Sequence, residues 1–522
     1  MDYLLPQLLA FPPHPPPALP LSDVEYDRQI RGLLQTLNQT RASMLISGVP
    51  NGGDLLDILD PSINTLPYLY TLLAHINAST SSNSNTRFSR DTLPTGKLWP
   101  YMVAFAERFD PTQVRYAGNE WRSVLECLAI SANNANKPIT AIRPIRTAML
   151  RLDPHLSTFT STHTIFMQLC VSAKSYRAAL PILDSEFTLF PDAAEDYVLP
   201  AQSKVLPCSN TPGTRLSITY RSGLTGRLTY QDFFQYNLWG ALIWIGLRRY
   251  AKAELLLSSI LVAPSDNITS TMTVRAYKLW LLVALIDRAE FPAVPRTTNN
   301  QVARSCRAIA KPYDALAEKF ISGDATKLRG EIEAGRLIWR MDRTEGLVNQ
   351  LPAVQRRASI SDLSKVYSAL SLPSIAQRTS PTPTDLVENE RFIYSYSASG
   401  GLEATISSAV RSKHDPSSAS SADAPTEQQT PAPQPPVLRF ASSDIQQRPH
   451  ATSEESLAAT LPAQTRQIMD LAAQVKELDG RLALRRDYID WVKKARKNRE
   501  NAGVSADPGW DDGPVDEDMM TD

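Results

Sequence analysis

The sequence predicts an all-α helical-repeat array followed by a winged-helix module and a long C-terminal helix. From Leu98 to about Arg340 apolar residues recur at helical spacing with almost no strand signal. After Asp342 the pattern becomes helix, short helix, helix and then two short strands, which is the order of a winged helix. From Leu461 to Arg499 there is no proline, and apolar residues keep a heptad spacing.

The chain has 522 residues, too many for one ordinary core, and its 39 prolines are unevenly placed, so two folded parts are expected. Lys+Arg and Asp+Glu balance at 54 each, so no global field draws the chain to nucleic acid or membrane, and proteins are the expected partners. The four cysteines, Cys127, Cys170, Cys208 and Cys306, form no CxxC pair and fit a reduced intracellular compartment. The apolar start lacks a basic n-region and runs into FPPHPPPALP, which does not suit a signal peptide. The longest apolar stretches, Tyr236 to Leu247 and Leu279 to Ile286, are shorter than the roughly 20 residues that cross a bilayer.

Residues 1–20 read as a proline-rich disordered start. A helical-repeat domain follows over 21–340, with helices expected to begin near Leu98, Asn119, Pro138, Ser161, Tyr176, Tyr230, Tyr250, Thr271, Val302 and Asp324. The polar, Pro- and Gly-bearing stretch 200–228 is expected as a surface insertion. Three helices share one pattern. Ala141 is followed by Ile145, Ala148 and Pro154; Tyr176 by Ala179, Leu183 and Pro191; Tyr250 by Ala253, Leu257, Ile260 and Pro264. A small residue lets antiparallel helices approach, a large one a turn later fills the same face, and proline ends the helix, which makes the array tetratricopeptide-like. Pro181 falls inside the second example, so that helix should start late or bend.

The winged-helix module is expected over 341–445. Its first helix runs from Arg356 to Leu372, capped by Ser359 or Ser361, with Ile360, Leu363, Val366, Tyr367 and Leu370 on one side. Leu386, Val387 and Ile393 form the ridge of its last helix. Strands are expected within GGLEATISSA and at Val437 to Ser442, separated by a disordered wing loop over 411–436 whose Ser, Ala and Pro content cannot bury a core. A linker and C-terminal heptad helix occupy 446–500, with Ile468, Leu471, Val475, Leu478, Leu482 and Ile489 on one stripe, and an acidic disordered tail occupies 501–522. That stripe requires a partner, either the chain's own domain or helices of other subunits.

No GxGxxG after a strand, GxxxxGK[ST], HExxH or GxSxG is present, so the sequence offers no handle for an enzyme and implies no cofactor. The six histidines, His14, His75, His155, His163, His414 and His450, form no HxH or HxxxH pair, and no metal site is expected. A winged helix can read a major groove, but its last helix here carries Asp385, Glu388 and Glu390 against Arg391, which phosphates would repel. Arg356-Arg357-Ala358-Ser359 resembles a basic-directed kinase site, while Ser359 also suits a helix start.

A tetratricopeptide-like array running into a winged helix and a long tail helix resembles the PCI family, shared by the proteasome lid, the signalosome and translation initiation factor three. Ile142 to Asp184, with Tyr176, Ala179, Leu180, Pro181, Leu183 and Asp184 at its end, is similar to a signalosome member of that family, as is the later ASISDLSKVYSALSLPSIAQRT. The resemblance spans about Leu98 to Ile489. It implies a non-catalytic scaffold in the complex that removes a ubiquitin-like modifier from cullin-RING ligases, the hydrolysis belonging to another, metal-binding subunit. The cullin-RING ligases would then be indirect partners. It also implies contacts with other signalosome subunits through the winged-helix strand at Val437, Leu438 and Phe440, and through the tail-helix stripe in a shared bundle. A scaffold of the proteasome lid or of initiation factor three is the alternative, and a winged-helix nucleic-acid binder a remote one. KKARKNRE is only a weak basic cluster, so cytoplasm and nucleus are both open.

Overall fold

The computed structural model describes residues 4–11, 22–47, 53–81, 89–185, 187, 190–191, 206–208, 218–264, 269–380, 384–398, 404–407 and 437–440, with helical positions scattered through 461–497. The expected wing loop 411–436, the linker 446–460 and the tail 501–522 lie outside the described residues.

The first helices are α1 (Leu4–Leu9), α2 (Asp23–Gln39), α3 (Ala42–Ile46), α4 (Leu55–Ile58) and α5 (Thr65–Ser81). Residues 4–11 depart from the expected disordered start, the rest of which lies outside the described residues. Leu8 and Phe11 are buried, and the Phe11 ring meets Tyr26 edge-on at 5.0 Å. The apolar residues that precede the proline run are enough to dock one short helix.

Then follow α6 (Trp99–Arg108), α7 (Pro111–Val114), α8 (Gly118–Asn134), α9 (Ile139–Leu152) and α10 (Ser161–Ser172). A 3-10 turn at Tyr176–Ala179 leads into α11 (Leu180–Leu183), so the helix expected from Tyr176 is divided at Pro181, which suits the first turn of a helix because it has no N–H to satisfy there. The array continues through α12 (Tyr230–Gly246), α13 (Tyr250–Val262) and α14 (Thr271–Arg288). Next come α15 (Asn300–Ile309), α16 (Lys311–Ile321), α17 (Ala325–Ala334), α18 (Arg336–Met341) and α19 (Glu345–Val348).

The repeat pattern faces inward. Ala141, Ile145, Ala148, Ala179, Ala253, Leu257 and Ile260 are all buried. Gly246 is one place where only hydrogen fits, because a Cβ there would stand 2.4 Å from the Tyr176 ring. Four helices end alike, with Asn136, Lys174, Arg248 or Arg343 at positive φ. The next N–H reaches back five residues: Lys137 to Ala132 O, Ser175 to Cys170 O, Arg249 to Trp244 O and Thr344 to Trp339 O, at 2.8–3.0 Å. These Schellman turns satisfy the last carbonyls and reverse the chain for the next helix. Every residue from Leu279 to Leu285 is buried, so α14 is covered all round and lies in the middle of the second core.

The insertion 200–228 differs from a surface loop in both of its described parts. Ile218 and Leu224 are buried in the first core, and Ser222 to Leu224 lie so close to α8 that a Cβ on Gly118 would come within 2.2 Å of Ser222 O. Arg115 Nη1 donates to Pro207 O at 2.8 Å and Cys208 Sγ to Asp23 O at 3.2 Å. Two apolar residues in a polar stretch sufficed to anchor it.

The remainder comprises α20 (Leu351–Val366), β1 (Ala369–Ser371), α21 (Leu372–Thr379), α22 (Leu386–Ala398), β2 (Ala404–Ser407) and β3 (Val437–Phe440). The strands form one antiparallel sheet in the order β1-β3-β2, with Leu438 opposite both Leu370 and Ile406. β1 was not expected. The first helix of this part starts at Leu351 rather than Arg356, with Pro352 in its first turn.

Candidate assembly interface

Helix α20 is the element on which the C-terminal part is built, because it belongs to two cores. Leu351 and Val354 pack with the array, while Ile360 packs with Leu372, Ile375, Ile393, Leu438 and Phe440 in a separate small core. Polar bonds fix its register on the array: Gln355 Nε2 donates to Phe320 O at 2.7 Å and Tyr250 OH to Gln350 Oε1 at 3.1 Å. On its other side Arg356 is buried, donates through Nη2 to Asn389 Oδ1 and lies 4.1 Å from the Phe392 ring centroid. Burial holds its pKa below the usual arginine value, against the opposing charge of Glu388.

Of the predicted strand residues, Leu438 and Phe440 are buried and Val437 is half-buried. β3 lies between β1 and β2, so its backbone is paired on both sides and it offers no free edge to another subunit. A contact of another subunit with Val437, Leu438 and Phe440 would therefore not run along a free edge of β3. The outer sides of β1 and β2 are the ones without a strand partner among the described residues. A three-residue strand such as β1 has no measurable period, which is why its sequence gave no signal.

Of the predicted stripe, Ile468, Leu471 and Val475 are helical and exposed, at 65%, 44% and 58%. Leu478, Leu482 and Ile489 lie outside the described residues. Buried against a partner, each of the three would contribute about 1.5–3 kcal/mol. In the preceding helix ridge, Ile393 is buried but Val387 is exposed, and Val366 at the end of α20 is exposed as well. Ser359 does not cap a helix. It lies in the body of α20, half-buried, with its hydroxyl donating to Gln355 O at 3.0 Å. A phosphate there would meet the middle of a helix and not its positive end.

Among the described residues no group of three His, Cys, Asp or Glu is arranged to hold a metal ion. Burial drives His163 down to about 3; its Nδ1 accepts from Thr160 N at 3.1 Å, so the ring is neutral with its proton on Nε2. Burial pushes Cys170 up to about 12 and Cys306 up to about 11, away from the thiolate form a nucleophile needs. No helix among the described residues is long and apolar enough to cross a membrane.

A helical-repeat family described as COP9 signalosome complex subunit 3, N-terminal helical repeats, matches residues 27–302. COP9 signalosome complex subunit 3 of Emericella nidulans is 30% identical over 529 residues, covering 100% of both chains. The protein of that name from Neurospora crassa is 26% identical over 95% of this chain and 92% of its own. The one from Arabidopsis thaliana is 26% identical over 62% and 64%. Array, bridging helix and small sheet thus belong to a chain of known kind: the protein is a member of the COP9 signalosome complex subunit 3 family.

Proposed function

We propose that the protein is a non-catalytic scaffold subunit of the COP9 signalosome, and that residues from α20 onward form a winged-helix module of the PCI type that carries the assembly contacts. The order of helix, strand, two helices and two strands, folded onto a three-stranded antiparallel sheet, supports the winged-helix reading. The observation that carries the scaffold reading is the apolar stripe Ile468, Leu471 and Val475, helical and exposed on a chain that shares its full length with a signalosome subunit. Water-facing aliphatic residues in heptad register are stabilised by insertion into a bundle with helices of other subunits. A second contact is an unpaired outer strand, β1 or β2, extended by a strand of a neighbouring subunit.

In this reading the chain organises the complex, the removal of the ubiquitin-like modifier from cullin-RING ligases takes place on another, metal-binding subunit, and the protein works in cytoplasm and nucleus. Affinity purification of the tagged full chain from its native cells, with mass spectrometry of stoichiometric partners at moderate salt, tests it. Recovery of the other signalosome subunits, including the metal-dependent isopeptidase, is expected. Recovery of proteasome-lid or ribosome-associated partners instead would keep the fold and replace the function.

A further inference from the structure

A large opening among the described residues lies far along the chain from the elements assigned to assembly. It is a groove of about 1060 Å³ between the segment Thr225 to Tyr230 and the ends of α12 and α13. Its walls are aromatic, with Phe159, Phe190, Phe233 and Tyr230 among them, and two of these rings face water: Phe190 is 54% and Tyr230 66% exposed. Exposed aromatic surface concentrated in a concave site marks a place that something covers. Among the described residues, the charged side chains lining it are Arg122 and Arg227, with no carboxylate. A Cβ on Gly226 would stand 3.4 Å from Arg122 Nη1, so Arg122 lies against the backbone that carries Arg227. Glu126 occupies Arg122 from the Nε side at 3.1 Å, while Arg227 makes no ion pair with another described residue.

The same chain carries a segment of matching chemistry. From Asn501 to Asp522 there are seven carboxylate side chains and no Lys or Arg, with Trp510, Val515, Met519 and Met520 spaced among them. Trp510 follows Lys497 by 13 residues, which can span up to roughly 45 Å when extended.

We propose that the acidic tail docks in this groove of its own chain, with Trp510 packed on the exposed faces of Phe190 and Tyr230 and the neighbouring Asp511 and Asp512 at Arg227. An indole fits an aromatic-walled slot through edge and offset contacts, and a carboxylate beside a guanidinium makes a charge-assisted hydrogen bond. Docked there, the tail covers the exposed rings and competes with any other segment for the groove, and its grip weakens as salt rises.

Hydrogen exchange on the full-length chain tests this, comparing wild type with Trp510→Ala and, separately, Arg227→Glu. Both variants are expected to exchange about tenfold faster over 226–233, while Leu279 to Leu285 in α14 stay unchanged. The wild-type protection is expected to be the same on dilution, as a contact within one chain requires. Exchange over 226–233 that is identical in wild type and Trp510→Ala overturns the proposal, and leaves the groove to the segment 192–205 or to a partner peptide. Protection that depends on Trp510 but falls with dilution also overturns it, in favour of a tail donated by a second copy.

Discussion

Helix α14 and the tail helix are both rich in aliphatic side chains, yet Leu279 to Leu285 are all buried whereas Ile468, Leu471 and Val475 all face water. The difference lies in what surrounds them. α14 packs on α13, α12, α15 and α16, and its apolar surface is used up within the chain. The described tail positions meet no such neighbours, and the small module before them has, among the described residues, a core of six buried side chains. One region completes its burial alone, and the other carries exposed apolar surface that, in the proposed reading, another chain completes.

The largest effect on this contrast should come from Trp280→Ala, which empties a site that is 2% exposed in the centre of the array. A loss of about 3–5 kcal/mol is expected, read as a lower urea midpoint for the whole array. Leu438→Ala should cost about 2–5 kcal/mol, but only to the small module. Hydrogen exchange should then quicken over α21, α22 and the sheet while α14 keeps its protection. Loss of protection in α14 would mean that the two cores unfold as one.

The array should also show its self-sufficiency in acid. The folded pKa of His163, about 3, lies below the unfolded value of about 6.5, so the unfolded chain takes up the proton first. The stability contributed by the neutral ring is complete above about pH 6.5 and is lost as pH falls toward 3, with a slope of up to about 1.4 kcal/mol per pH unit. Urea titrations at several pH values should show this slope in wild type and its removal in His163→Gln.

A smaller effect, of opposite sign, is expected at the helix ends. Arg248 has φ of 57° in a Schellman turn, a conformation that glycine adopts without Cβ strain. Arg248→Gly should therefore raise stability by up to about 1 kcal/mol, less the entropy that glycine adds to the unfolded chain. An unchanged or lower midpoint would show that the arginine side chain outweighs its backbone strain.

Legibility in the sequence followed how strongly each element depends on its own period. Long helices were readable: α10, α12, α13 and α14 begin at Ser161, Tyr230, Tyr250 and Thr271, as the spacing predicts. Elements fixed by tertiary contact were not. The three residues of β1 have no period, Leu8 and Phe11 stand beside prolines, and Ile218 and Leu224 sit in a polar stretch that reads as loop. The start of α20 was misplaced because the basic run Arg356-Arg357 looks like a boundary, although Arg356 is buried beneath α22 and bonded to Asn389. At the candidate interface the exposed stripe could be read from its heptad spacing, but which strand occupies the edge depends on sheet order, which no local pattern encodes.

The central claim, that the tail helix is spare for folding and needed for assembly, is tested most directly by Leu471→Asp with Val475→Asp in the full-length chain. Thermal unfolding of the isolated variant and its co-purification with partners from native cells would be measured together. The account predicts an unfolding midpoint within about 1 °C of wild type, because both side chains are exposed, and loss of the stoichiometric partners. Retention of those partners at wild-type ratio would contradict it.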